Sequence, residues 1–177
     1  MDFIQSGVQQ LTSELIQHRK YNYSEDSLDQ FLYNHPEMGC RHFIIKNKRG
    51  ENLSTMLLKA ELSDTCLIYA HGLGSNKTEV LSLVKMMKHM HYHFCSFDFS
   101  GSGRSDGEHT TYGLREQDDV NAIISALDTT RQYKRYILWG RSMGGAAIVL
   151  SQSRNLNPKV QCIILDSPFS SFEKAAV

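Results

Sequence analysis

The sequence predicts an α/β protein, a three-layer α/β/α sandwich on a mostly parallel sheet, entered through an N-terminal antiparallel hairpin. From Thr65 onward short apolar runs alternate with longer helix-like stretches. Such alternation implies right-handed crossovers between parallel strands. The runs are continuously apolar rather than alternating, the pattern of strands covered on both faces by helices. A length of 177 residues, 41% hydrophobic and 21% charged, suffices for one domain with a real core.

Taken in order, Phe3 to Phe31 carries apolar side chains at helical spacings, Ile4, Val8, Leu11 and Leu15, then Leu28, Phe31 and Leu32. The polar stretch His18 to Asp26 interrupts them, which predicts two short helices. Pro36 and Gly39 end this segment. Arg41 to Ile45 and Leu53 to Leu58 read as a hairpin around the turn Asn47 to Asn52. Strands are then expected at Thr65 to Ala70, Phe94 to Phe99, Tyr136 to Trp139 and Val160 to Leu165. Helices are expected at Lys77 to His91, Leu114 to Arg131 and Gly144 to Arg154. Residues 1–42 are assigned to a helical extension and 43–177 to the core.

Lys plus Arg and Asp plus Glu number 19 each, so the chain offers no long-range field to attract nucleic acid. Cys40, Cys66, Cys95 and Cys162 form no C-x-x-C pair, and the last three lie in apolar strand-like runs as small hydrophobes. A reducing compartment follows. The first residues lack a basic segment followed by an apolar one, and no run approaches the ~18 apolar residues of a membrane span. The expectation is a cytoplasmic protein with no transmembrane segment; the sequence leaves its oligomeric state open.

In open sheets of this kind ligands bind outside the carboxyl ends of the strands. The chemically interesting residues follow each expected strand: His71-Gly72-Leu73-Gly74-Ser75-Asn76, then Asp98-Phe99-Ser100-Gly101-Ser102-Gly103-Arg104-Ser105-Asp106-Gly107, then Gly140-Arg141-Ser142-Met143-Gly144, then Asp166-Ser167-Pro168-Phe169. The third reads as a nucleophile elbow. Glycines two before and two after Ser142 permit a sharp strand-to-helix turn, and the helix N-terminus directs partial positive charge at the hydroxyl.

These motifs, in this order, resemble the α/β-hydrolase superfamily, and within it the monoglyceride-lipase-like and serine-aminopeptidase-like branch. The resemblance runs from Phe43 to Phe172. It implies an α/β-hydrolase fold lacking its last strands. It also implies a serine hydrolase that cleaves carboxylic esters, or else amides or peptides, through an acyl-enzyme on Ser142, with no metal or organic cofactor. The implied oxyanion hole is formed by the backbone N–H groups of Leu73 and Met143. His71 is implied to be structural, holding the oxyanion loop, and Asp98 and Asp106 to brace the loop after their strand. The implied substrate is a small acyl ester or amide.

Other readings of the same loops fail on spacing. A P-loop needs glycine immediately before its lysine and another five positions earlier, where this chain has Asn76 and His71. In the Gly101-Ser102-Gly103 stretch the next glycine falls at 107, too late for a dinucleotide fingerprint. His89, His91 and His93 stand at every second position, a spacing that suits a metal on one strand face, but they precede a strand at its amino end and read as a solvated loop. Arg141 serves either substrate or a surface ion pair.

In this fold the triad follows the order serine, acid, histidine. All eight histidines precede Ser142, and Asp166 is a weak candidate for the acid. The chain is therefore expected to be the N-terminal part of a longer hydrolase, inactive alone. The alternative is a non-catalytic hydrolase-like binding or scaffold protein.

Overall fold

The computed structural model describes residues 26–34, 39–60, 63–83, 86, 89–154 and 156–169. Six strands form one mixed sheet: β1 (Gly39–Lys46), β2 (Asn52–Lys59), β3 (Thr65–Ala70), β4 (His93–Phe97), β5 (Arg135–Arg141) and β6 (Val160–Asp166). Their spatial order is β1-β2-β4-β3-β5-β6. The hairpin pairs Gly39 with Lys59 through Lys46 with Asn52, and β2 is also antiparallel to β4. From β4 onward, β4, β3, β5 and β6 are mutually parallel. β1 begins four residues ahead of the expected start of the core at 43.

The α-helices are α1 (Asp26–Asn34), α2 (Glu116–Thr129) and α3 (Met143–Arg154), with a 3-10 helix at Lys77–Leu83. Alternate strand residues feed two apolar clusters, because successive side chains leave a strand on opposite faces. Cys66, Ile68 and Ala70 of β3, with Tyr136 and Leu138 of β5, meet Val120, Ile123 and Leu127 of α2 and Met143, Ala147 and Ile148 of α3. Leu67 and Tyr69 face the other way, onto Leu28 of α1 and Val80 of the 3-10 helix. Burial on both faces explains the continuously apolar β3, all six residues of which are buried. The earlier expected helix, before His18, lies outside the described residues, as do residues 170–177.

Four local readings are corrected. The stretch expected as one α-helix from Lys77 opens as a 3-10 turn, and only Met86, His89 and Met90 beyond it are described as α-helical. The cause is local capture: Asn76 Oδ1 accepts from the Thr78 N–H at 2.9 Å, and the Glu79 N–H bonds the Asn76 carbonyl, an i to i+3 contact. β4 ends at Phe97 rather than Phe99: the Asp98 N–H still bonds the Ser54 carbonyl, but the Phe99 N–H turns to His71 Nε2. His93 is not in a solvated loop: it is buried at the start of β4, its ring 5.2 Å edge-on to Tyr133 and its Nε2 3.1 Å from the Ser63 carbonyl. Cys162 is exposed, as are Ile163 and Leu165, because β6 is the outer strand of the sheet among the described residues.

Candidate active site

β5 ends at Arg141, α3 begins at Met143, and Ser142 is the single residue between them. Its φ of +48° is left-handed, a conformation that disfavours residues with a Cβ by about 1–2 kcal/mol. Two hydrogen bonds hold it there. The Ser142 N–H donates to the Asp166 carbonyl at the end of β6 (2.8 Å), and the Ser142 carbonyl accepts from the Ala146 N–H (3.1 Å), opening α3. Ser142 is half-buried.

The flanking glycines are required by close approach. A Cβ at Gly140 would stand 2.5 Å from the Gly145 nitrogen, and one at Gly144 would overlap the Ala70 carbonyl oxygen. The first turn of α3 is therefore pressed against the carboxyl ends of β3 and β5, which the sequence expected of both positions. Gly72 differs: a Cβ there would lie 3.7 Å from the Arg141 carbonyl oxygen and 3.8 Å from Ser142 Cβ, ordinary contact distances. The loop after β3 thus passes beside the elbow with room for one methyl group between them, and Leu73 is next in the chain. Gly74 has φ +70°. Neither the Leu73 N–H nor the Met143 N–H donates to an acceptor among the described residues.

His71 is fully buried beneath this loop. The Phe99 N–H lies 3.2 Å from Nε2, so Nε2 accepts and Nδ1 carries the proton, donated to the Gly72 carbonyl at 2.7 Å. Burial pushes the imidazole pKa down, against the raising effect of the Gly72 carbonyl. The ring therefore joins the loops after β3 and β4 as a neutral bridge, its edge also 5.0 Å from the Phe99 ring.

The loop after β4 is braced by carboxylates. Asp98 Oδ1 accepts the Lys77 N–H (2.7 Å), and Oδ2 accepts the Arg104 N–H (3.0 Å) and lies 3.3 Å from Lys77 Nζ. Lys77, the residue a P-loop reading would send to phosphate, is buried in this pair and also donates to Ser54 Oγ. Asp106 Oδ2 accepts the Asn52 N–H. Asp166 lends the elbow its backbone carbonyl, while its exposed carboxylate accepts from Ser167 Oγ.

Arg141 forms an ion pair with Glu79, a residue the sequence reading did not single out. Glu79 also accepts from Tyr69 Oη (3.0 Å) and from the Gly72 N–H (3.3 Å). Burial opposes its charge, yet hydrogen bonds from Ser75, Arg141 and Tyr69 hold the carboxyl below the usual carboxylate range. Its one advance signal was an arginine beside the serine with no assigned acidic partner. A second network was equally invisible: Asn47 and Arg49 in the β1–β2 turn bond the buried Asp119 of α2, each at 2.7 Å, with Ser100 between them. Among the described residues no group of three or more His, Cys, Asp or Glu side chains is disposed to hold a metal ion.

A strand, a left-handed serine and a helix on a mixed sheet of this order define the α/β-hydrolase class. The family model described as serine aminopeptidase, S33, matches residues 62–176, and the chain belongs to that family. It is 23% identical over 168 residues to the uncharacterized protein YqkD of Bacillus subtilis (strain 168), covering 94% of this chain and 54% of that protein. Against the uncharacterized protein YfhR of Escherichia coli (strain K12) identity is 31% over 112 residues, covering 62% and 39%. The Pyrococcus furiosus esterase Pf2001 superposes with a TM-score of 0.69 at 23% identity, covering 86% of this chain and 57% of that one. The esterase EaEST from Exiguobacterium antarcticum gives 0.63 at 20% identity, covering 73% and 46%. The chain spans about half the length of the curated relatives it matches.

Proposed function

We propose that this chain supplies the nucleophile and oxyanion hole of a serine hydrolase acting on small carboxylic esters. The observation that carries the reading is Ser142 at φ +48° between β5 and α3, with Gly72 beside it and Leu73 packed against the apolar cluster that includes Met143. Ser142 Oγ attacks the ester carbonyl, and the N–H groups of Leu73 and Met143 stabilise the oxyanion of the tetrahedral intermediate. The alcohol leaves, and water then hydrolyses the acyl-enzyme by the same route in reverse order. Membership of the serine aminopeptidase family and esterase neighbours of the same fold support hydrolase chemistry.

The general base belongs after Ser142 in this fold order, and all eight histidines of this sequence precede it. His71 is excluded as base on its own geometry, since both ring nitrogens are engaged by backbone. No histidine of this sequence is accordingly assigned as the general base. No helix among the described residues is long and apolar enough to cross a membrane, and four free cysteines suit a reducing, cytoplasmic setting.

In the full-length protein a fluorophosphonate probe should label Ser142, and Ser142→Ala should abolish the label. Unchanged labelling of Ser142→Ala would refute the assignment. The 177 residues alone should label weakly, because loss of the triad histidine costs about 10⁶ in turnover in a serine protease. Robust ester turnover by them would overturn the placement of the base.

A further inference from the structure

We propose that Glu79 is a positioning residue that clamps the oxyanion loop to the nucleophile elbow. The inference rests on the reading of Ser142 and Leu73 given above. Glu79 stands on the 3-10 helix, outside both motifs, yet its two carboxylate oxygens reach each of them. Oε2 accepts the N–H of Gly72, the residue before Leu73. Oε1 accepts from the guanidinium of Arg141, the residue before Ser142. One side chain thereby fixes the residue preceding the proposed oxyanion donor and the residue preceding the proposed nucleophile.

The clamp is itself held from behind. Tyr69 Oη, on a residue only 3% exposed, donates to Oε1, and Ser75 of the same loop also bonds the carboxylate. Glu79 is 11% exposed by side chain, so water competes little for it, whereas Arg141 is 52% exposed. Because even an added Cβ at Gly72 would reach only ordinary contact distance from Ser142, sterics at Gly72 do not fix the loop's distance from the elbow. The carboxylate bridge sets it instead, together with His71 from below. Displacing a catalytic group by about 1 Å can cost a factor of about 10² in rate, so such a bridge acts on turnover more than on substrate binding.

The test uses the full-length protein and a p-nitrophenyl ester, with rates expressed per serine titrated by the fluorophosphonate so that misfolded molecules drop out. Glu79→Met keeps the volume and removes both acceptors; kcat should fall at least tenfold while KM moves less than threefold. Glu79→Gln keeps one acceptor oxygen, enough for the Gly72 N–H or for Arg141 but not for both, and its kcat should fall between those of Glu79→Met and the parent. Should Glu79→Met fail to fold, Glu79→Asp, whose carboxylate is withdrawn by one methylene, should lose at least threefold in kcat. Full kcat per titrated serine in Glu79→Met, or in Glu79→Asp where that is the variant read, would overturn the clamp while leaving Ser142 as nucleophile. Failure of the parent protein to label at Ser142 would instead overturn the underlying reading, and the clamp with it.

Discussion

Replacing Lys77 by Met isolates the contribution of the buried ion pair beneath the loop after β4. Both side chains of the Lys77–Asp98 pair have no exposed surface, and Nζ lies 3.3 Å from Oδ2 and 2.9 Å from Ser54 Oγ. Methionine preserves the apolar stem and deletes only the ammonium. Removing one partner of a buried pair typically destabilises by about 3–5 kcal/mol, because the surviving charge is left uncompensated. Here Asp98 keeps the N–H groups of Lys77 and Arg104, each worth roughly 1.5–3 kcal/mol to a charged acceptor, which argues for the lower end, about 3 kcal/mol. With a urea m-value of about 2 kcal/mol/M, the unfolding midpoint should drop by about 1.5 M. Asp98→Asn alone is also expected to destabilise, and the double variant should cost less than the two single changes added, since they share one interaction. A midpoint shift below about 0.5 M for Lys77→Met would refute the reasoning, because that is the range of a surface lysine.

Two further outcomes follow from the elbow and from His71. Gly144→Ala gains about 1 kcal/mol of helix propensity but drives a Cβ into the Ala70 carbonyl, and overpacking of this kind costs about 1–3 kcal/mol. A urea titration should therefore show net destabilisation, while Gly72→Ala, whose nearest atoms are 3.7 Å or more away, should stay within about 0.5 kcal/mol of the parent. Equal stability of the two variants would contradict the steric account of the turn. The second outcome concerns pH. His71 titrates below its unfolded value, so the unfolded chain binds its proton first, and this contribution to stability is present above about pH 6.5 and lost as pH falls. His71→Gln should flatten the decline in urea midpoint between pH 7 and 5, with the remaining slope due in part to His93, which is lowered by burial as well. An undiminished slope in His71→Gln would remove His71 from that role.

The β-α alternation was legible because it is a local property: each run of β3, β4 and β5 is apolar on both faces, and that pattern survives any arrangement of the strands. The elbow was legible for a related reason, since the glycines at 140 and 144 and the intervening serine act within five residues of one another. Less visible were departures decided by neighbours far along the chain. Nothing near His93 announces that Tyr133 will pack on its ring. The 3-10 start at Lys77 lay between these cases, since Asn76 is an adjacent signal but Asp98 is not.

The sequence by itself determined the order of strands and helices, the serine at the turn and the loops that gather at the carboxyl ends of the strands, because periodicity and turn chemistry are written in adjacent residues. Only the tertiary structure decided the partners of the buried charges. Glu79 meets Arg141 across 62 positions, Lys77 meets Asp98 across 21, and Arg49 meets Asp119 across 70. A charge buried on folding needs a counter-charge close in space, and chain closure can bring that partner from almost any distance along the sequence.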